Sequence, residues 1–206
     1  MFTHHPMSWD ITRKDAFQSI DVCNLEIMKE RGISMYTLHV PLDCNGKYST
    51  SVNLAGAFGA KIIDEFFDYH GCKVGVVAET AFTNVDDLKN EFDSLIQHES
   101  RIYRYGDEKI CGNKVAFCGG GGNEPQLYDE LTKKGVNTYI TGITIRETDF
   151  QPAIRAHENA KKNRINILGG THYSTEKFAC IKMVGYFNKL GLLCEFMPDE
   201  PCMTDM

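Results

Sequence analysis

Between Lys114 and Leu168 the chain alternates short apolar runs with stretches of helical periodicity, and no other feature limits its fold as much. Lys114 to Cys118 leads through Gly119-Gly120-Gly121-Gly122 into a helix from about Glu124 to Lys134. Asn137 to Thr141 ends in Gly142 ahead of a helix around Gln151 to Lys162. Ile165 to Leu168 ends in Gly169-Gly170, and apolar residues at Phe178, Ile181, Val184, Phe187 and Leu190 then mark a third helix. A β-α-β-α-β series of this kind predicts an α/β fold with a largely parallel sheet flanked by helices. Ligands of such sheets collect beyond the carboxyl ends of the strands, so residues just after each apolar run are the ones to inspect for chemistry.

The first half is less regular. Apolar positions from about Arg13 to Arg31 suit an amphipathic helix closed by Gly32. Ile33 to Leu38 reads as a strand that delivers His39 and then Asp43, and Asn53 to Ala60 as a short helix of small residues. Lys73 to Ala78 is a further strand, and Asn84 caps a helix to Gln97 whose Asp86 and Asp87 suit its N-terminus. A second half begins near Gly106, which divides the chain into lobes 1–105 and 106–206 forming one compact unit. Leu192 to Met197 is expected to add an edge strand, and the polar tail from Asp199 to lie loose.

Composition removes several classes of function. A chain of 206 residues with a net charge of −6 and no long basic run lacks the electrostatic footprint of a nucleic-acid groove. Its apolar runs are too short to span a membrane and its start lacks a signal-peptide pattern, so the cytoplasm is the expected compartment. The eight cysteines include no CxxC pair and are expected to be reduced, mostly buried thiols. The four glycines at 119–122 could cradle a phosphate or form a tight turn, but neither a P-loop Lys-Ser/Thr nor a correctly spaced GxGxxG accompanies them.

His172 and Glu176 stand where a strand hands over to a helix, four residues apart and therefore able to share one helical face. Alone they could be a packed or capping histidine and a solvated first-turn acid, with Ser174 or Thr175 as the cap. His4-His5-Pro6 alone could be a mobile terminus. Taken together, His4, His5, His39, Asp43, His172 and Glu176 form a coherent set. Imidazoles with carboxylates suit Zn, Mn, Fe or Co better than Ca or Mg, and this many can hold two divalent ions. Ions about 3.5–4 Å apart polarise a substrate oxygen and activate a shared water.

HHP at 4–6, HVPLD at 39–43, KVG at 73–75, VAFCGGGG at 115–122, YITG at 139–142 and GGTHYSTE at 169–176 occur in the order seen in the Ngg-interacting-factor-three-like family, which the chain resembles over nearly its whole length. Members are often labelled GTP cyclohydrolase type 2 homologues or dinuclear metal-centre proteins. The resemblance implies an α/β fold of two related lobes, with mixed, largely parallel sheets and a two-metal site between the lobes, assembled into a toroidal homohexamer. It implies that His4 and His5 each bind one ion, that Asp43 and His172 each bind one, and that Glu176 bridges both. His39 matches a family position close to the metals and is expected to orient a ligand or transfer protons. Members carry several dozen residues ahead of HHP where this chain has Met1, Phe2 and Thr3, so the first lobe is expected to be incomplete relative to the family. After YITG the family often has an acidic residue where this chain has Ile143. The implied function is a dinuclear metal-dependent hydrolase of a small-molecule substrate: a nucleotide, as in a GTP cyclohydrolase-like reaction, a phosphoester or a cyclic amide. The alternatives are a non-catalytic metal-binding oligomeric scaffold and a nucleotide-binding module centred on Gly119 to Gly122.

Overall fold

The computed structural model describes residues 1–5, 20–148 and 150–206 in full, and residues 8–9 and 17–18 by their backbone. The chain opens on β1 (Phe2–Thr3), β2 (Ser8–Trp9) and β3 (Phe17–Gln18), of which β2 and β3 pair antiparallel. Because 17–18 are extended, the helix expected from Arg13 begins later, as α1 (Val22–Glu30); residues 13–16 and 19 lie outside the described residues. No residue of α1 is buried, so its apolar positions do not form the core face that their spacing suggested. β4 (Tyr36–Thr37) then runs parallel to β1, and α2 (Val40–Asp43) and α3 (Thr50–Ala57) follow.

Ten strands and seven helices are described in all. The next are β5 (Lys61–Tyr69), β6 (Cys72–Glu79), α4 (Val85–Ile96) and β7 (Arg101–Tyr103). The series anticipated from the sequence comes last: β8 (Lys114–Cys118), α5 (Leu127–Lys133), β9 (Thr138–Thr141), α6 (Gln151–Asn163), β10 (Asn166–Gly169) and α7 (His172–Lys189). One six-stranded mixed sheet has the order β5-β6-β8-β9-β10-β7 and so draws strands from both sides of residue 105. Its centre, β8-β9-β10, is parallel; β5, β6 and β7 join antiparallel.

The sheet is covered on both faces, which explains why its central strands read as continuous apolar runs. Successive side chains point to opposite faces. Ala116, Cys118, Tyr139 and Ile167 pack with Leu127, Leu131, Ala156 and Ala160 from α5 and α6. Val115, Phe117, Ile140 and Leu168 pack with Leu54, Leu88 and Phe92 from α3 and α4. Phe117 is fully buried, and cutting it to Ala would cost about 3–5 kcal/mol. A smaller cluster of Leu42, Ala179 and Met183, flanked by Phe2, Leu38 and Phe187, ties β1, β4 and α2 to the face of α7.

Other expectations need correction at the margins. No strand forms over Leu192 to Met197, because Leu192, Leu193 and Met197 stand exposed with no neighbouring strand to receive them. The tail is fastened rather than loose: the Asp205 carbonyl accepts the backbone N–H groups of Thr144 and Ile145 at 2.7 and 2.9 Å. Among the described residues no helix is long and apolar enough to cross a membrane.

Candidate metal centre

All three parallel strands end on the same side, and each is followed by a tight approach to one point. β8 runs into the glycine loop, β9 into Gly142, and β10 into α7, whose first residue is His172. Thr171 caps α7 through its side-chain oxygen, which accepts the Ser174 N–H at 3.1 Å, in place of the Ser174 or Thr175 cap expected. From that first turn Glu176, 7% exposed, lies four residues beyond His172 on the same face, and His172 Nε2 is 3.1 Å from Glu176 Oε1.

The other four candidate side chains arrive from the parallel pairing of β1 with β4. That pairing carries the chain to His4 and His5 on one strand and to His39 on the other. His4 is 6% exposed; its Nδ1 lies 3.0 Å from the Leu38 carbonyl, so Nδ1 donates and Nε2 faces inward. His4 Nε2 lies 3.2 Å from Asp43 Oδ1 and 3.5 Å from Glu176 Oε1. His5 Nε2 lies 3.1 Å from Glu176 Oε2, and His39 Nε2 lies 3.7 Å from Asp43 Oδ2. All six sequence candidates therefore meet, with the two oxygens of Glu176 facing different imidazoles. Their donor atoms form three overlapping triads within 4.8 Å: His4, His5 and His39; His5, His172 and Glu176; His4, Asp43 and Glu176.

Burial and charge dominate the titration of this cluster. Burial by itself would lower the His4 pKa, but the Glu176 charge and hydrogen bonds to Asp43 and Glu176 raise it to about 11. Burial would raise Glu176, yet His172 and His4 hold it well below the usual carboxylate range. His39 is pushed down, by burial and then by the neighbouring His5, so it is neutral at neutral pH and able to accept a proton. A buried, ionised carboxylate ringed by imidazoles is a donor set suited to a borderline divalent cation, and the residues fit such an ion.

Three supporting features were not read from the sequence. Thr50 Oγ1 donates to Asp43 Oδ1 at 3.1 Å and steadies that carboxylate. Gly120 has φ 66°, and a Cβ there would fall 2.0 Å from Glu176 Oε1, so only glycine lets the loop close over the site. The Gly119 and Gly120 N–H groups donate to Ser51 Oγ and Thr175 Oγ1, so these two are already engaged within the fold and are not free to cradle a phosphate. The third is a disulfide. Cys44, directly after Asp43, is bonded to Cys72 at the start of β6, contrary to the reduced thiols expected. α2 and β6 bring those two residues to a Cα separation of 5.5 Å, a closeness that their 28-residue spacing conceals. Of the other cysteines only Cys118 is buried, its thiol pushed by burial to about 12.

A cavity of about 260 Å³ opens beside the cluster. His5, His39, Asp43, His172 and Glu176 form its polar end, and Phe67, Tyr69, Val74, Ile143, Phe150 and Pro152 contribute apolar walls. Phe67 has φ 62°, unusual for a bulky residue, on the strand that carries it to the cavity wall. Thus Ile143, where the family resemblance led to an acid, supplies hydrophobic surface instead.

Comparison with known proteins agrees with this architecture. A protein named GTP cyclohydrolase 1 type 2 homolog from Borreliella burgdorferi is 26% identical over 188 residues, covering 91% of this chain and 69% of that protein. A protein of the same name from Archaeoglobus fulgidus is 25% identical over 199 residues, covering 96% and 74%. Among solved structures, protein ybgI, described as of unknown function, superposes with a TM-score of 0.75 at 20% identity, covering 98% of this chain and 76% of that one. Reduced HcgD from Methanocaldococcus jannaschii gives 0.65 at 22% identity, covering 93% and 71%. These two likenesses establish the fold. The model of the Duf34/NIF3 (NGG1p interacting factor 3) family matches residues 1–198, and the chain belongs to that family.

Proposed function

We propose that this protein is a dinuclear metal-dependent hydrolase acting on a small molecule. The observation that carries the reading is Glu176: one buried carboxylate whose Oε1 faces His4 and His172 while its Oε2 faces His5. Glu176 thus belongs to two donor groups, one with His4 and Asp43 and one with His5 and His172, and would be the residue shared if each held a cation. Such ions, when bound, supply Lewis-acid polarisation and generate a nucleophile from water at neutral pH. The protein's own residues do the rest. His39, its side chain 42% exposed at the cavity, is placed to carry protons between the reacting group and solvent, and Asp43 Oδ2 orients it. The apolar walls hold the substrate and thin the water around it.

The open cavity favours this reading over a scaffold, since a purely structural metal site encloses its ligands whereas a catalytic one keeps a position free. Nucleotides, with GTP first because relatives carry that name, are the leading substrates, followed by phosphoesters and cyclic amides. The test is metal analysis of protein purified with and without chelator, coupled to turnover of those three classes. Two equivalents of Zn, Mn, Fe or Co with metal-stimulated turnover support the reading; metal-replete protein inert on all three overturns it. The homohexamer implied by family resemblance belongs to the same proposal and is checked by light scattering after size exclusion.

A further inference from the structure

One residue from the far end of the chain joins the end of β9 to the start of α7. While the Asp205 carbonyl accepts the N–H groups of Thr144 and Ile145, its carboxylate Oδ2 accepts the His172 N–H at 2.8 Å. The residue is only 1% exposed. A carboxylate is costly to bury unless charge and hydrogen bonds compensate it. Part of the compensation comes from the His172 N–H at the N-terminal end of an 18-residue helix. The Thr171 side chain takes up only the Ser174 N–H of that turn, so the His172 N–H is a separate donor that Asp205 accepts. Ile143, which lines the cavity, directly precedes Thr144, so Asp205 ties the backbone next to the cavity wall to a candidate ligand.

We propose that Asp205 is a positioning residue of the metal centre: its carboxylate anchors the His172 backbone at the head of α7 and so fixes where the His172 ring stands against Glu176. Groups that orient a ligating residue commonly account for about 10–100-fold in metal affinity, and here the orienting contact is made to the His172 backbone N–H. The inference rests on the metal-centre reading and adds to it a residue 33 positions from His172 in the sequence.

The test measures Zn²⁺ affinity by chelator competition, and the visible absorption of the Co²⁺ form, for the full chain and three variants. Asp205→Ala is expected to weaken Zn²⁺ binding by about 10–100-fold and to alter the Co²⁺ bands. Asp205→Asn keeps an acceptor for the His172 N–H, so it should bind Zn²⁺ more tightly than Asp205→Ala and close to the wild-type value. Thr171→Ala removes a cap of the same helix without touching Asp205, and should lower thermal stability while leaving Zn²⁺ affinity near the wild-type value. Wild-type affinity in both Asp205 variants, or an equal loss in Thr171→Ala, overturns the positioning role and leaves the metal centre standing. A wild-type protein that binds neither Zn²⁺ nor Co²⁺ overturns both.

Discussion

Glu176 and His172 project from an 18-residue helix that packs on the sheet, is capped by Thr171 and is held at its first residue by Asp205. His4 and His5 follow a two-residue strand whose whole pairing is Phe2 with Tyr36 and Thr3 with Thr37, reinforced by the Thr3 to Thr37 hydroxyl contact at 2.9 Å. Both regions supply candidate ligands to one cluster; the first, on a long helix packed on the sheet, is the more rigid wall, and the second rests on a short strand pair held to α7 by Phe2, Leu38 and Phe187. On the proposed metal reading one wall is preorganised, and ion binding would complete the other by pinning the short strand.

Changes on the rigid wall should have the largest effect. Glu176→Ala or His172→Ala is expected to abolish metal-stimulated turnover, and Glu176→Ala to leave at most one equivalent of bound metal by mass spectrometry. A Glu176→Ala protein that still held two ions would mean that the carboxylate does not bridge. Next comes pH dependence. His4 carries a folded pKa of about 11 against 6.5 unfolded. Its protonation therefore stabilises the metal-free fold fully below pH 6.5, and that contribution is lost as pH rises towards 11. Chelator-treated protein should lose melting temperature steadily from pH 6.5 to about 8.5, and His4→Gln should flatten that slope. An unchanged slope would show that His4 is not held charged by Glu176 and Asp43.

Two smaller effects sharpen the contrast. Replacing Cys44 and Cys72 together by Ser opens the loop of 28 residues' separation, and chain entropy sets the loss at about 3–4 kcal/mol in denaturant unfolding. Metal affinity should fall as well, because the bond lies next to Asp43. Phe2→Ala removes the ring that meets Phe187 at 5.4 Å and Tyr36 at 6.4 Å. It should weaken metal binding by about tenfold, roughly 1.4 kcal/mol, with little change in the global unfolding midpoint. A matching drop in global stability would show that β1 belongs to the cooperative core and that the two walls are alike.

The rigid wall was also the legible one. His172 and Glu176 are four residues apart on a helix, so local periodicity alone put them on one face, and the strands feeding them are buried on both sides and therefore conspicuous as apolar runs. β5 escaped notice because it is an edge strand whose sequence mixes Lys61, Asp64, Glu65 and Asp68 with apolar residues and follows no simple alternation; its register shifts between Ile62 and Asp64. β7, three residues long with Arg101 and Arg104 at and beside its ends, offers less still. Thr50, the Cys44 to Cys72 bond and Asp205 act through partners that no periodicity connects to them.

The sequence by itself determined the order of the central strands and helices, the residue types able to bind a cation, and their positions at the ends of extended runs. Hydrophobic periodicity and side-chain chemistry are local properties, and they survive in a linear reading. Only the tertiary structure decided that Glu176 turns one oxygen to His4 and His172 and the other to His5, that Gly120 must lack a side chain to allow it, and that Asp205 closes the arrangement from behind. Each of these is a contact between segments far apart in the chain, and only packing the helices onto the sheet brings such segments within hydrogen-bond reach.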